Sequence, residues 1–229
     1  MAQFHFVEDY ERHVANLMRA HPLDEAMSLA VGGGYEVIGS IERAIVTQLG
    51  LRDGMALVDL GCGSGRLATA LGAAGLAIDY LGIDIVQALL DYAASRAPSS
   101  YRFALHRELN LPCEAASIDM VCAFSVFTHL LHPESYLYME DIHRALKPGG
   151  VLVFSFLEFA QPEHWTVFAQ TVEAQRNSSL PALNMFIERN AIDEWCHHLG
   201  FARELFVGAV EPHWDGLALG QSVAVLRRA

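Results

Sequence analysis

A doubly wound α/β sheet is the fold class this sequence predicts, on three observations. An apolar run, Ala56-Leu57-Val58, ends at Asp59. It opens onto glycines alternating with small residues, Gly61-Cys62-Gly63-Ser64-Gly65, and then a helix-competent run. A second run, Asp79 to Ile85, also ends in a carboxylate, Asp84. Short apolar runs then alternate with amphipathic segments to the end of the chain, as buried parallel strands joined by helical crossovers do.

The 229 residues, 52% of them hydrophobic, suit one domain spanning 1–229. Residues 1–50 read as a helical cap, 51–229 as the α/β core, and 160–185 as a substrate-shaping insertion. Fifteen Lys and Arg against 27 Asp and Glu give a net charge of −12. That balance repels phosphate backbones and argues against a nucleic-acid partner. The cysteines, Cys62, Cys113, Cys122 and Cys196, are scattered without a C-x-x-C pair and read as buried thiols in a reducing compartment. No apolar run reaches the roughly 18 residues of a membrane span. The charged N-terminus has no signal-peptide core. The expectation is a cytoplasmic protein with no membrane partner, monomeric or homodimeric.

Residues 4–20 carry Val7, Tyr10, Val14, Leu17 and Met18 at helical spacing, with a stop near His21-Pro22. Such a helix either packs on the core or caps a ligand site. Gly32 to Gly34 cannot belong to a stable helix and mark a turning loop. Tyr35 and Glu36 follow it and are candidate substrate contacts; the alternative is a plain linker. A short helix with Ile41, Ala44, Ile45 and Leu49 ends at Gly50. The first strand and its glycine turn then offer bare backbone and a helix N-terminus to a flat or anionic ligand. Asp84 lies 21 residues beyond Gly63, where a carboxylate accepts both hydroxyls of a ribose. Ile85 beside it is a candidate adenine contact. A second helix turns Val86, Leu89, Leu90 and Ala93 to the sheet.

Tyr101–His106 reads as strand three and Ser117–Phe127 as strand four, leading into Thr128-His129. A helix with Leu137, Tyr138, Ile142 and Leu146 stops at Lys147-Pro148-Gly149-Gly150. Val151–Phe159 is strand five. Trp165–Gln175 reads as a helix and Arg176–Asn184 as a loop. Ile192, Trp195, Cys196 and Leu199 share one face of the last helix. Ala202–Val210 and Gln221–Arg227 are the final strands, and the loop between them carries His213, Trp214 and Asp215.

Glycine spacing separates two ligand classes. A dinucleotide turn wants a small residue where Arg66 stands. The run from Asp59 to Gly65 instead resembles motif I of the class I S-adenosylmethionine-dependent methyltransferases. Phe124–Leu130 (FSVFTHL) and Arg144–Phe156 (RALKPGGVLVFSF) also resemble that family, at the expected distances. The resemblance is dense over residues 50–157 and nearest to the small-molecule members. It implies a seven-stranded Rossmann-like sheet of order 3-2-1-4-5-7-6 with the seventh strand antiparallel, N-terminal cap helices, and S-adenosylmethionine as cofactor. Asp59, Gly61, Cys62, Gly63 and Gly65 would cradle its methionine and ribose side. Asp84 would hold the ribose diol, Ile85 the adenine, and Glu108, Leu109 and Ser125 the adenine and methyl region. One departure stands out. The position of the family's Asp after strand three falls on Arg107, leaving Glu108 or Asn110 to substitute and the Leu109 N–H to serve adenine N1.

Methyl transfer needs chiefly positioning, and a base only where the acceptor is protonated. His129, which follows the central strand, is the first candidate, with His213 and Glu158 behind it; His129 and Trp214 are candidate substrate contacts. His129 and His132 stand three apart near Glu134, and His197-His198 form a doublet. Neither matches H-E-x-x-H, and metal-independent chemistry is expected. Ser125-Val126-Phe127-Thr128 replaces the (D/N)-P-P-(Y/F) of enzymes that methylate planar amines. A small-molecule acceptor, an aglycone or a sugar, methylated on O or N, is the reading. Two rivals remain. A non-catalytic protein of the same fold is kept alive by the missing Asp. A nicotinamide-dependent oxidoreductase is opposed by Arg66 and the Lys-Pro-Gly-Gly turn.

Overall fold

The computed structural model describes residues 7–177 and 184–229. Seven strands form one sheet: β1 (Ala56–Leu60), β2 (Asp79–Asp84), β3 (Arg102–Leu105), β4 (Ile118–Ala123), β5 (Leu146–Phe156), β6 (Phe201–Val207) and β7 (Ser222–Arg228). Their order is β3-β2-β1-β4-β5-β7-β6. The first five are parallel, and β7 runs antiparallel to both β5 and β6. The order reverses between β1 and β4, which pair directly at Val58↔Val121. A crevice therefore opens beyond the carboxyl ends of these two strands.

Among the described residues eight helices flank the sheet: α1 (Val7–Ala20), α2 (Leu23–Ala30), α3 (Tyr35–Gln48), α4 (Arg66–Ala73), α5 (Gln87–Arg96), α6 (His132–Ala145), α7 (Pro162–Arg176) and α8 (Arg189–Leu199). The two-residue period of a strand sorts the core. Val58, Leu60, Val121 and Ala123 pack with Tyr138 and Ile142 of α6 and Ile192 and Cys196 of α8. Leu57, Met120 and Cys122 pack on the other face with Ile41 and Ile45 of α3 and Leu67 and Leu71 of α4. A third cluster joins Val14 of α1 and Met27 of α2 to Leu89 and Tyr92 of α5.

Four elements differ from the sequence expectation. α2 forms directly after Pro22, whose fixed φ of −54° suits a helix start. α3 begins at Tyr35, not near Ile41, because Gly32, Gly33 and Gly34 all take positive φ (87°, 78° and 60°) and complete the turn by themselves. The Tyr35 hydroxyl then anchors the helix by donating to Ser64 O at 2.8 Å. β4 leaves the sheet at Ala123, and Phe127–His129 winds into one 3₁₀ turn. Finally, α6 stops at Ala145 and the Lys-Pro-Gly-Gly segment belongs to β5, where Lys147 Nζ donates to Asp119 at 2.8 Å. Among the described residues no helix is long and apolar enough to cross a membrane.

Candidate active site

A cavity of about 980 Å³ lies over the β1–β4 reversal. It runs along the carboxyl edge from Asp84, at the end of β2, to Gln221, at the start of β7. Four strand spacings separate them, roughly 19 Å at about 4.8 Å each. That is long enough for a nucleoside and a second molecule side by side.

The nucleoside end is built from motif I. Gly61 and Gly63 have φ of 68° and 54°. A Cβ on Gly61 would sit 2.3 Å from Val126 Cγ2, and one on Gly63 2.6 Å from Val31 Cγ1. Bare backbone is therefore a steric requirement here. Gly65 does not line the cavity; a Cβ there would meet Ala93 Cβ at 2.7 Å, so its task is helix packing. Asp84 is 6% exposed and accepts the Gly63 N–H at 2.9 Å on one oxygen and the Val86 N–H at 3.0 Å on the other. Burial pushes its pKa up to about 6 against hydrogen bonds from the Val86, Gly63 and Ile85 backbone. Asp59 is pushed to about 6 by the same cause, offset by the Tyr80 hydroxyl at 2.6 Å and the Cys122 thiol. Cys62 and Ile85 also line this end.

Arg66, which in the sequence served only to exclude a dinucleotide, is a clamp. Its guanidinium donates to Glu42 at 2.9 Å, to Val31 O at 2.8 Å and to Gly33 O at 3.4 Å. Glu42 is 3% exposed, and burial raises its pKa to about 7 although Arg66 opposes the shift. With Ser64 Oγ donating to Met27 O at 2.9 Å, the cap helices are sewn onto the glycine loop. Tyr10, His13 and Asn16 of α1 roof the cavity.

The other end rises from β4, β5 and β7. Ser125 holds φ at 57°, a strained value for a residue with a Cβ. Its N–H donates to Ser155 Oγ at 2.7 Å, and both hydroxyls donate to Gln221 Oε1, at 2.6 Å from Ser155 and 3.3 Å from Ser125. His129 lines the cavity from the 3₁₀ turn, and Thr171 and Gln175 of α7 face it with Asn184. Asn184 donates to Thr171 Oγ1 at 3.0 Å. Residues 178–183 of the expected insertion lie outside the described residues.

Several residues singled out in the sequence sit elsewhere. Tyr35 is a buried anchor bonded to Ser64 O and Thr69, and Glu36 is exposed. Neither lines the cavity, because the glycine turn points α3 into the core. Glu158 is fully buried and holds Arg189 at 2.8 Å and Ser222 Oγ at 2.6 Å, tying β5 to α8 and β7. His213 is exposed beside Glu211, and Trp214 is a core side chain in the α3–α4 cluster. Glu108 and Leu109 do not line the cavity: Leu109 packs on the core and Glu108 accepts from Asn110 at 3.2 Å. Arg107 lies outside it too, ion-paired with Glu11 of α1 and donating to Ile85 O at 3.1 Å. Glu134 caps α6 by accepting the Leu131 N–H, and His132 meets Phe186 O. The His197 and His198 rings stack edge-on to each other, 5.5 Å apart. Sequence reasoning missed Tyr10, His13 and Asn16 as cavity residues, and likewise Gln221, Thr171, Gln175 and Asn184. Their only signal was position in thinly patterned segments.

A family model described as a methyltransferase domain matches residues 58–154. That match supports the class I S-adenosylmethionine-dependent methyltransferase superfamily as the one this stretch is similar to. The chain is 36% identical over 120 residues to an arsenite methyltransferase of Aquipseudomonas alcaligenes, covering 46% of this chain and 33% of that protein. It is 34% identical over 108 residues to a ubiquinone biosynthesis O-methyltransferase of Methylococcus capsulatus, covering 45% and 44%. It thus spans less than half the length of either relative. Among solved structures, magnesium protoporphyrin IX methyltransferase from Synechocystis, with S-adenosylhomocysteine bound, superposes with a TM-score of 0.69 at 18% identity over 98% of both chains. That likeness shows the shared fold. S-adenosylmethionine is the cofactor of this methyltransferase superfamily. The motif I end fits it: the Asp84 carboxylate, the cavity-lining Gly61 and Gly63, and acidic walls suited to a cation.

Proposed function

We propose that this protein methylates a small-molecule acceptor, on oxygen or nitrogen, from S-adenosylmethionine. The observation that carries the reading is the continuous cavity, one end lined by the glycine loop and Asp84, the other by polar side chains on β4, β7 and α7. Asp84 receives the ribose hydroxyls on its remaining acceptor capacity, and Gly61 and Gly63 let the methionine portion lie against backbone. When bound, the cofactor supplies an electrophilic methyl group on a sulfonium. Asp59 and Asp84 hold negative charge near that cation above about pH 6. His129, in the turn after β4, takes a proton from a hydroxyl or ammonium acceptor. Gln221, Thr171, Gln175 and Asn184 supply hydrogen bonds to a polar acceptor and restrain its approach. α1 and α7 exclude water from above.

Titration calorimetry with S-adenosylhomocysteine, with NADH in parallel, tests the reading. Binding of S-adenosylhomocysteine alone, one per chain, supports it and justifies an acceptor screen with methyl-labelled cofactor. Preference for NADH, or binding of neither, overturns it.

A further inference from the structure

We infer that His106 reads the amino group of the cofactor's adenine as a hydrogen-bond acceptor, replacing the carboxylate this chain lacks after β3. The inference rests on the cofactor reading above. Between Ile85 and Phe124, His106 is the one described residue that lines the cavity. Its backbone N–H donates to Asp84 O at 3.0 Å, so it stands one strand outward from the ribose carboxylate, about 4.8 Å away. A base attached to a ribose held by Asp84 falls within its reach. Arg107, in the position the resemblance reserves for an acidic residue, is outside the cavity and engaged with α1.

The tautomer of His106 is set by two residues behind it. Asn110 Nδ2 donates to Glu108 Oε2 at 3.2 Å, which turns the amide oxygen away from the carboxylate. That oxygen lies 2.8 Å from His106 Nε2. An amide oxygen only accepts, so Nε2 carries the ring proton and Nδ1 bears the lone pair. No described residue donates to Nδ1. Glu108 and Asn110 therefore take part indirectly, by orienting the imidazole. A fixed acceptor beside a purine pairs with an exocyclic amine and repels a carbonyl, so this end of the cavity selects a 6-amino over a 6-oxo purine.

The test compares S-adenosylhomocysteine with its 6-oxo counterpart, S-inosylhomocysteine, by calorimetry at about pH 8, above the ordinary imidazole range. The wild-type protein is expected to prefer the amino compound by about tenfold or more. His106→Leu should weaken that compound by up to about tenfold and abolish the preference. Asn110→Leu frees the ring to take either tautomer. It should narrow the preference while S-adenosylhomocysteine binds within about threefold of wild type, and it carries the decision if His106→Leu does not fold. Equal wild-type binding of both compounds, or a preference unmoved by both substitutions, overturns the inference and leaves the cofactor reading standing. Binding of neither compound by wild type overturns both.

Discussion

Asp84→Asn separates the structural duty of this carboxylate from its binding duty, because both are visible in its geometry. The side chain is 6% exposed and accepts the Gly63 N–H on one oxygen and the Val86 N–H on the other, with a further backbone hydrogen bond from Ile85. An Asn of the same shape offers one oxygen and one NH₂, so one N–H loses its acceptor, at a cost of about 1–3 kcal/mol. Against that, the charge is removed. Burial lifts the carboxyl from 3.8 to about 6, and a gap of about two units corresponds to roughly 3 kcal/mol. The folded protein keeps this proton up to about pH 6, whereas the unfolded chain releases it near 3.8. The contribution is therefore fully present below 3.8 and lost as pH rises through 6. Urea denaturation should find the variant less stable than wild type by about 1–3 kcal/mol near pH 4 and between equal and about 2 kcal/mol more stable near pH 7. Binding behaves differently. Losing one charge-assisted acceptor for the ribose costs about 1.5–3 kcal/mol, so S-adenosylhomocysteine should bind roughly 10- to 150-fold more weakly at pH 7.5. Wild-type affinity should itself decline below about pH 6. A stability difference that does not vary with pH refutes the burial argument. Unchanged affinity refutes the ribose assignment.

Arg66→Met leaves Glu42 buried without its cation and unties Val31 O and Gly33 O. A loss of about 3–5 kcal/mol in denaturant midpoint analysis is expected, smaller in acid, where Glu42 takes up a proton. Gly63→Ala puts a Cβ 2.6 Å from Val31 Cγ1 at a φ of 54°. It should cost about 1–3 kcal/mol and loosen the cap, read as faster amide exchange in α1 and α2. Glu158→Gln breaks the pair between buried Glu158 and half-exposed Arg189 and should lower stability by about 1–2 kcal/mol, while the folded variant binds S-adenosylhomocysteine as wild type does. Arg107→Ala removes an ion pair whose side chains are 42% and 41% exposed and should change stability by no more than about 1 kcal/mol.

The alternation of strands with helices and the glycine turn were legible because they are written in local pattern, while the strand order followed from the family resemblance. A period of two buries Val58 and Leu60 on one face, and a positive φ demands Gly61 and Gly63. Asp84 was legible for the same reason, since its distance from the turn is fixed by one βαβ unit. The boundaries of α3 and α6 were not. At Tyr35 a hydroxyl bonded to Ser64, 29 residues away, fixes the helix start. At Lys147 the salt bridge to Asp119 draws the chain into β5.

The candidate chemistry divides along the same line. Glu158, Tyr35 and Trp214 have the residue types of a site, yet their surroundings make them structural. Glu158 meets Arg189 and Ser222 across three elements, and no spacing in the chain announces that. Conversely, Gln221 and the roof of α1 carry no motif and reach the cavity only because β7 inserts beside β5 and the cap folds back over β2. The sequence alone determined the layered fold and, through the family resemblance, the cofactor class, and it singled out Asp84 as the proposed ribose carboxylate, because these signals lie within one strand–turn–helix unit. Only the tertiary structure decided which polar side chains face the cavity and which, like Arg66 and Arg107, hold the cap down. Burial and partnership across distant segments set those roles, and they exist only once the chain has closed on itself.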